Sequence, residues 1–261
     1  MKHLTMILLC LVVRAPIYAQ GGDKRALPRV VVTDFFNTSK ERHTIMLRSA
    51  ADALAIELTK AGAYEVVARQ EVDRVASRLK MTAQMREEDF VAIAKQVGAT
   101  LLVIGELRYV DWYTKDKARE VEVGIIVRVK DIASGEFVNG AAERGTNTDL
   151  PGGKKPDGVM LVDAAGSAVY RAAAKMASYR PIEATVMNTA GRGLVVINRG
   201  TGHGVRGKQE FLVIRDGAIV GRLKAFQVFP SHSEMTVVDN RLGIRPEDRA
   251  LSVFPEPKFG K

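Results

Sequence analysis

Cysteine occurs once in the 261 residues, as Cys10 inside the first apolar run, so this chain alone builds neither a disulfide framework nor a cysteine-based zinc site. Histidine is almost as scarce: His3, His43, His203 and His232 include no pair four residues apart, which removes the helical two-histidine metal motif. Long apolar runs are missing too, so no stretch reaches the roughly 20 residues of a membrane-spanning helix. Lys and Arg outnumber Asp and Glu by 39 to 30, yet the charges are interspersed, without a block of one sign or a basic motif rich in aromatics. A nucleic-acid partner is therefore not expected. What remains, 46% hydrophobic and 26% charged residues, is the composition of a globular protein with one large or two modest domains.

The N-terminus points to export. Lys2 and His3 precede the apolar run from Met6 to Val13, and the segment passes Arg14 and Pro16 to reach Ile17-Tyr18-Ala19-Gln20. A basic start, a short apolar run and a small residue at the cut describe a signal peptide over residues 1–19; the alternative is an amphipathic or buried N-terminal helix. Lipid attachment at Cys10 is not expected, because Leu9 stands where a small residue is required. Removal of residues 1–19 lowers the formal charge from +9 to +7, with 37 basic against 30 acidic residues.

From Arg29 onwards strand and helix signals alternate. Val30-Val31-Val32 with Phe35-Phe36 reads as one buried strand, and Thr38 with Glu41 as a capping box for a helix bearing Leu47, Ala51, Leu54 and Leu58 on one face and closed by Gly62. A short strand over residues 64–68 follows. Val72, Val75 and Leu79 mark a second helix, and Phe90, Ile93, Ala94 and Val97 a third, stopped by Gly98. Strands are expected over residues 100–110, 121–132 and 136–144, the last two forming a hairpin, with a loop over residues 146–156. An Ala-rich helix over residues 159–178 ends at Pro181. Beyond it, six short β-rich runs separated by turns indicate a small barrel. The expected organisation is an α/β sandwich over residues 29–178 followed by a small all-β, SH3-like barrel over residues 182–261.

Chemistry-bearing motifs are few. Gly202-His203-Gly204-Val205-Arg206-Gly207 matches the dinucleotide fingerprint literally, but residues 208–215 alternate like a strand, and the helix that would receive a pyrophosphate is missing. The glycines read as a turn between strands. Asp34, Glu71 and Asp73 read as turn or helix-dipole groups, and His203 and His232 as solvated side chains in turns. No catalytic, cofactor-binding or metal-binding residue emerges. Trp112 and Tyr113, placed in a polar turn over residues 111–120, are the candidate partner-binding residues, since aromatics at a loop tip serve as interface anchors.

Four pieces in this order resemble the CsgG and TolB-N-terminal-like family of exported bacterial proteins. They are Val31-Val32-Thr33-Asp34-Phe35-Phe36-Asn37; Ala51-Asp52-Ala53-Leu54 with Glu57-Leu58; Tyr64-Glu65-Val66-Val67-Ala68-Arg69 with Glu71-Val72; and Gly98-Ala99-Thr100-Leu101-Leu102-Val103-Ile104-Gly105-Glu106. Val196-Ile197-Asn198-Arg199-Gly200, Gly204-Val205-Arg206-Gly207 and Phe211-Leu212-Val213 resemble the SH3-like barrel of the flagellar assembly protein FlgT. The resemblance implies a non-catalytic assembly or scaffold role in the periplasm, without cofactors, with protein partners in a secretion, flagellar or cell-wall complex. It is compatible with a ring of identical copies and with contact at the outer membrane that uses no spanning helix. The alternative it carries is a curli-type secretion channel; against that, Arg128, Lys130, Asp131 and Glu136 sit on the hairpin that would have to enter lipid. An activator of a cell-wall synthase is a related reading that the sequence does not separate.

Overall fold

The computed structural model describes residues 27–40, 45–81, 85–190 and 193–260. The expected signal peptide over residues 1–19 and Glu41 of the expected capping box lie outside them. Strand β1 (Arg29–Val32) is buried at Val30 and Val31. Contrary to the single strand expected, the chain leaves the sheet after Val32 and returns only for the two residues of β2 (Phe36–Asn37). The break follows from local bonding, because the buried Thr33 hydroxyl donates to the Asp34 carbonyl. The Thr38 hydroxyl donates to the Leu107 carbonyl at 2.8 Å, which ties the residue after β2 to β4.

Helix α1 (Ile45–Lys60) turns Met46, Ala50, Ala51, Leu54 and Leu58 inward, a stripe at the helical period. After β3 (Glu65–Val66), α2 (Arg69–Arg78) and α3 (Glu87–Gln96) bury Val72, Val75, Ala76, Phe90, Ile93 and Ala94. Strands β4 (Leu101–Lys115), β5 (Ala118–Asp131) and β6 (Phe137–Thr148) form a long meander, and α4 (Asp157–Ser178) closes this half. The sheet order is β3-β1-β4-β5-β6, with β2 beside β4. β1 runs parallel to β3 and β4, and the meander is antiparallel.

Helices α1 and α4 cover one face. Against them lie Val121, Val123, Ile125, Val127 and Val129 of β5, all at most 1% exposed. This row is the apolar stripe a membrane hairpin would have turned to lipid; here helices cover it. Gly145 on β6 lets the α4 backbone approach closely, for a Cβ there would lie 2.0 Å from the Ala164 carbonyl oxygen. On the opposite face α2 and α3 cover Val31, Leu102 and Ile104.

One irregularity sets the geometry of the meander. Leu107 opposes Ile125 and Tyr109 opposes Gly124, which leaves Arg108 as a β-bulge without a partner residue on β5. Before the bulge Val103 and Leu107 face α1 and α4; after it Val110 faces the same way. Side chains alternate along a strand, so Trp112 follows Val110 and Tyr113 takes the other face.

The second half is a closed barrel in the order β10-β11-β8-β7-β12-β9. Its strands are β7 (Glu183–Ala190), β8 (Leu194–Ile197), β9 (Glu210–Arg215), β10 (Ala218–Val228), β11 (Ser233–Asn240) and β12 (Arg249–Ser252). Closure leaves no free sheet edge. The core contains Val186, Ile197, Phe211, Val213, Leu223 and Met235 and, among the described residues, none of the first half. All six β-rich runs of the sequence correspond to these strands. The expected mixed α/β layer followed by a small β-barrel is thus the fold observed.

Between the halves, Arg222 on β10 pairs with Glu136, the residue just before β6. Residues 253–260 leave β12 and run back over the first half. Phe254 meets Tyr179 edge to face at 4.9 Å, and Phe259 meets Tyr109 at 5.4 Å.

Candidate partner-binding surface

The far end of the β4–β5 hairpin is strand, not the polar turn expected. Pairing continues to Lys115 opposite Ala118, and the turn is only Asp116 and Lys117, both with positive φ as a tight two-residue hairpin requires. Composition suggested a loop because residues 111–120 are polar. Cross-strand side-chain pairs hold them in the sheet instead. Tyr109 donates its hydroxyl to Glu122 at 2.7 Å, and Tyr113 donates to Glu120 at 2.8 Å.

Trp112 and Tyr113 are 37% and 39% exposed, so neither folds away into the core. They do not form one patch, however. Trp112 opposes Val121 on the helix side, the Arg119 guanidinium lies 4.5 Å from its ring centroid, and Arg119 pairs with Asp157 in the first turn of α4. Indole, guanidinium and carboxylate form a row that joins the hairpin to the helix. Tyr113 lies among Asp111, Glu120 and Glu122. Its hydrogen bond to Glu120, together with desolvation and these acidic neighbours, pushes its pKa up to about 12. Tyr109, deeper on the same face, also reaches about 12, chiefly through desolvation and then its bond to Glu122. The hairpin end therefore presents an aromatic–cationic side and an aromatic–acidic side.

The remaining sequence candidates have structural partners. Asp34 accepts a bond from Arg69 at 2.6 Å, and Arg69 also reaches Asp52 at 3.1 Å. Burial opposes the Arg69 charge, but these carboxylates outweigh it and raise its pKa. Glu71 pairs with Arg29, and Asp73 with Arg48. His232 stacks on Phe229 with centroids 4.5 Å apart. Residues 201–203 form a single 3-10 turn, Gly204 follows at φ 84°, and the chain runs on to β9, so the glycine run is a turn between barrel strands.

A second surface was not legible in the sequence. Tyr179, Arg180, Ile182, the turn at Arg206, Gly207 and Lys208, and Phe254 with Pro255 enclose a cleft of about 590 Å³. Three segments far apart in the chain contribute to it, and each is unremarkable alone.

Comparison with known proteins corrects the family resemblance. No curated protein sequence matches the chain. Similar solved structures include lipoprotein GNA1162 from Neisseria meningitidis, 13% identical over 51% of this chain and 90% of that one, with a TM-score of 0.38. The PelC dodecamer from Paraburkholderia phytofirmans is 18% identical over 56% and 85% of the two chains, with a TM-score of 0.35. The LpoB C-terminal domain from Salmonella enterica is 13% identical over 46% and 85%, with a TM-score of 0.31. At these scores the likenesses bear on neither function nor partner. The CsgG and TolB resemblance, with its flagellar extension, is overturned, since no such family matches. Its quoted pieces fall on the end of β1 through β2, the middle of α1, β3 with the first turn of α2, and the start of β4, where any layer of this kind needs apolar strands and helix faces. The family whose model the chain does match, over residues 10–139, is the one described as the peptidoglycan-synthase activator LpoB.

Proposed function

We propose that this chain is a non-catalytic envelope protein that binds a peptidoglycan synthase on its periplasmic side and activates it by contact. The family match over residues 10–139 carries the reading, and that stretch contains all of β4 and β5. The docking surface is the far end of the hairpin. Trp112 and Tyr113 supply half-exposed aromatic anchors, the residue type that dominates interface energetics, and the two-residue turn holds them rigidly. Export through the N-terminal segment places the protein with such a partner. Residues 29–178 and 182–261 act as two folding units, the first carrying the hairpin.

The test is glycan-chain polymerisation by the purified synthase of the same organism with the exported form of this protein added. The rate should rise, and Trp112→Ala should remove most of the rise while leaving the melting temperature within a few degrees of wild type. A synthase that neither binds the protein nor responds to it would end the proposal.

A further inference from the structure

The cleft between the end of α4, the turn before β9 and the start of the 253–260 segment carries unbalanced charge. Arg180, Arg206 and Lys208 line it, and the only carboxylate among its lining residues is Glu210. Glu210 is already held by Arg222 at 2.9 Å and Lys224 at 3.8 Å. Among the described residues no carboxylate pairs with Arg206 or Lys208, both of which are exposed. Arg180 gives one nitrogen to the Ala177 and Tyr179 carbonyls, at 2.7 and 2.8 Å, and keeps its other donors. Neighbouring backbone groups are occupied: the Arg206 N–H donates to the Gln209 side chain and the Lys208 N–H to the Ala225 carbonyl.

Behind this cationic rim the walls are apolar, built from Ile182, Val253, Phe254 and Pro255. The volume lies within the range of ligand sites, and a cationic rim over an apolar floor selects a ligand that alternates anionic and apolar groups. Tyr179 and Phe254 meet edge to face with an interplanar angle of 85°, so they form one bent wall instead of the parallel platforms that stack nucleobases. An extended peptide, whose successive side chains point to opposite sides, can set a carboxylate toward Arg206 and Lys208 and the next, apolar side chain against Phe254 and Pro255.

We propose that this cleft is a binding site for an acidic, extended peptide segment of a protein partner, separate from the hairpin and independent of whether that partner is a synthase. Charge complementarity guides the encounter, and the apolar walls fix the register.

A fluorescein-labelled hexapeptide of alternating glutamate and leucine, titrated by anisotropy against the full chain without residues 1–19, tests this directly. Saturable binding is expected, weakening about tenfold in Arg206→Glu/Lys208→Glu and about tenfold again when glutamine replaces glutamate in the peptide. Thermal melting of the double variant verifies that the barrel is intact. Lys154→Glu/Lys155→Glu, the same charge change on exposed residues elsewhere, should leave affinity unchanged. Equal loss in both double variants would mean that only overall charge matters, and would overturn the site. Binding to phosphatidylglycerol vesicles with none to the peptide would also overturn it, in favour of a lipid surface.

Discussion

Replacing Gly145 by alanine tests the tightest contact in the first half. The added Cβ would sit 2.0 Å from the Ala164 carbonyl oxygen and 2.5 Å from the Ala168 nitrogen, both backbone atoms of α4. Such atoms cannot rotate aside, so the helix must retreat by roughly 1 Å from an interior packed at crystal density. Overpacking of this kind costs about 1–3 kcal/mol. The upper end applies, because α4 carries nine buried residues that would all lose contact together. A loss of about 3 kcal/mol changes the folded-to-unfolded ratio more than a hundredfold and lowers Tm by about 6–12 °C. Urea titration followed by circular dichroism measures it, with an unchanged slope showing that the unfolded state is unaffected. Gly166→Ala is the internal control: it lies on the same helix, its Cβ would meet nothing within 4 Å, and it should stabilise by about 0.5–1 kcal/mol. If Gly145→Ala stays within about 0.5 kcal/mol of wild type while Gly166→Ala stabilises as stated, the close approach of α4 to β6 is refuted.

Three further outcomes are expected. Gly204→Ala, at φ 84°, should destabilise the barrel by about 1 kcal/mol or more through backbone strain alone, since the nearest atom to its Cβ is 3.7 Å away; calorimetric melting reads this, and an unchanged melt would refute the left-handed turn. Burial would raise the pKa of Asp248, but bonds from the Arg215 side chain and the Arg245 N–H outweigh it and hold the carboxyl below its ordinary 3.8. Its stabilisation is therefore complete above that value and is lost as pH falls through the lower, folded-state pKa, so the stability gap between wild type and Asp248→Asn should narrow below about pH 4 in acid titrations; a constant gap would refute the assignment. Limited proteolysis should cut first within residues 149–156 or 179–181, and residues 29–178 and 182–261 should each unfold cooperatively when produced alone; failure of both would remove the two-unit proposal.

Much of the fold was legible because its signals are local. The spacing of Leu54 and Leu58 on α1, the alternation of Val121, Val123, Ile125, Val127 and Val129 on β5, and the glycines Gly62 and Gly98 at helix ends each reflect a pattern confined to a few residues. Misreadings arose where tertiary contacts overrode composition. Polar residues 111–120 form strand because Tyr109, Tyr113 and Trp112 find partners across the hairpin, and the strand expected to continue through Phe35 breaks at Thr33. The family resemblance failed for the opposite reason, resting on features that several families with such a layer can share. The cleft was invisible in principle, since Arg180, Arg206 and Phe254 meet only once the barrel has closed beside α4.

The bulge at Arg108 bears on how this hairpin tolerates changes in length. Arg108 opposes no residue of β5, so deleting it would preserve every cross-strand pair on either side. Deleting Val110 or Asp111 instead would close the bulge and keep the tip pairs, but would slide Arg108 opposite Gly124 and Tyr109 opposite Val123, turning Tyr109 away from Glu122 to the helix face. Among residues 108–111, the strand can lose Arg108 and keep every side chain beyond it where it is; losing Val110 or Asp111 keeps the tip and turns Tyr109 over instead.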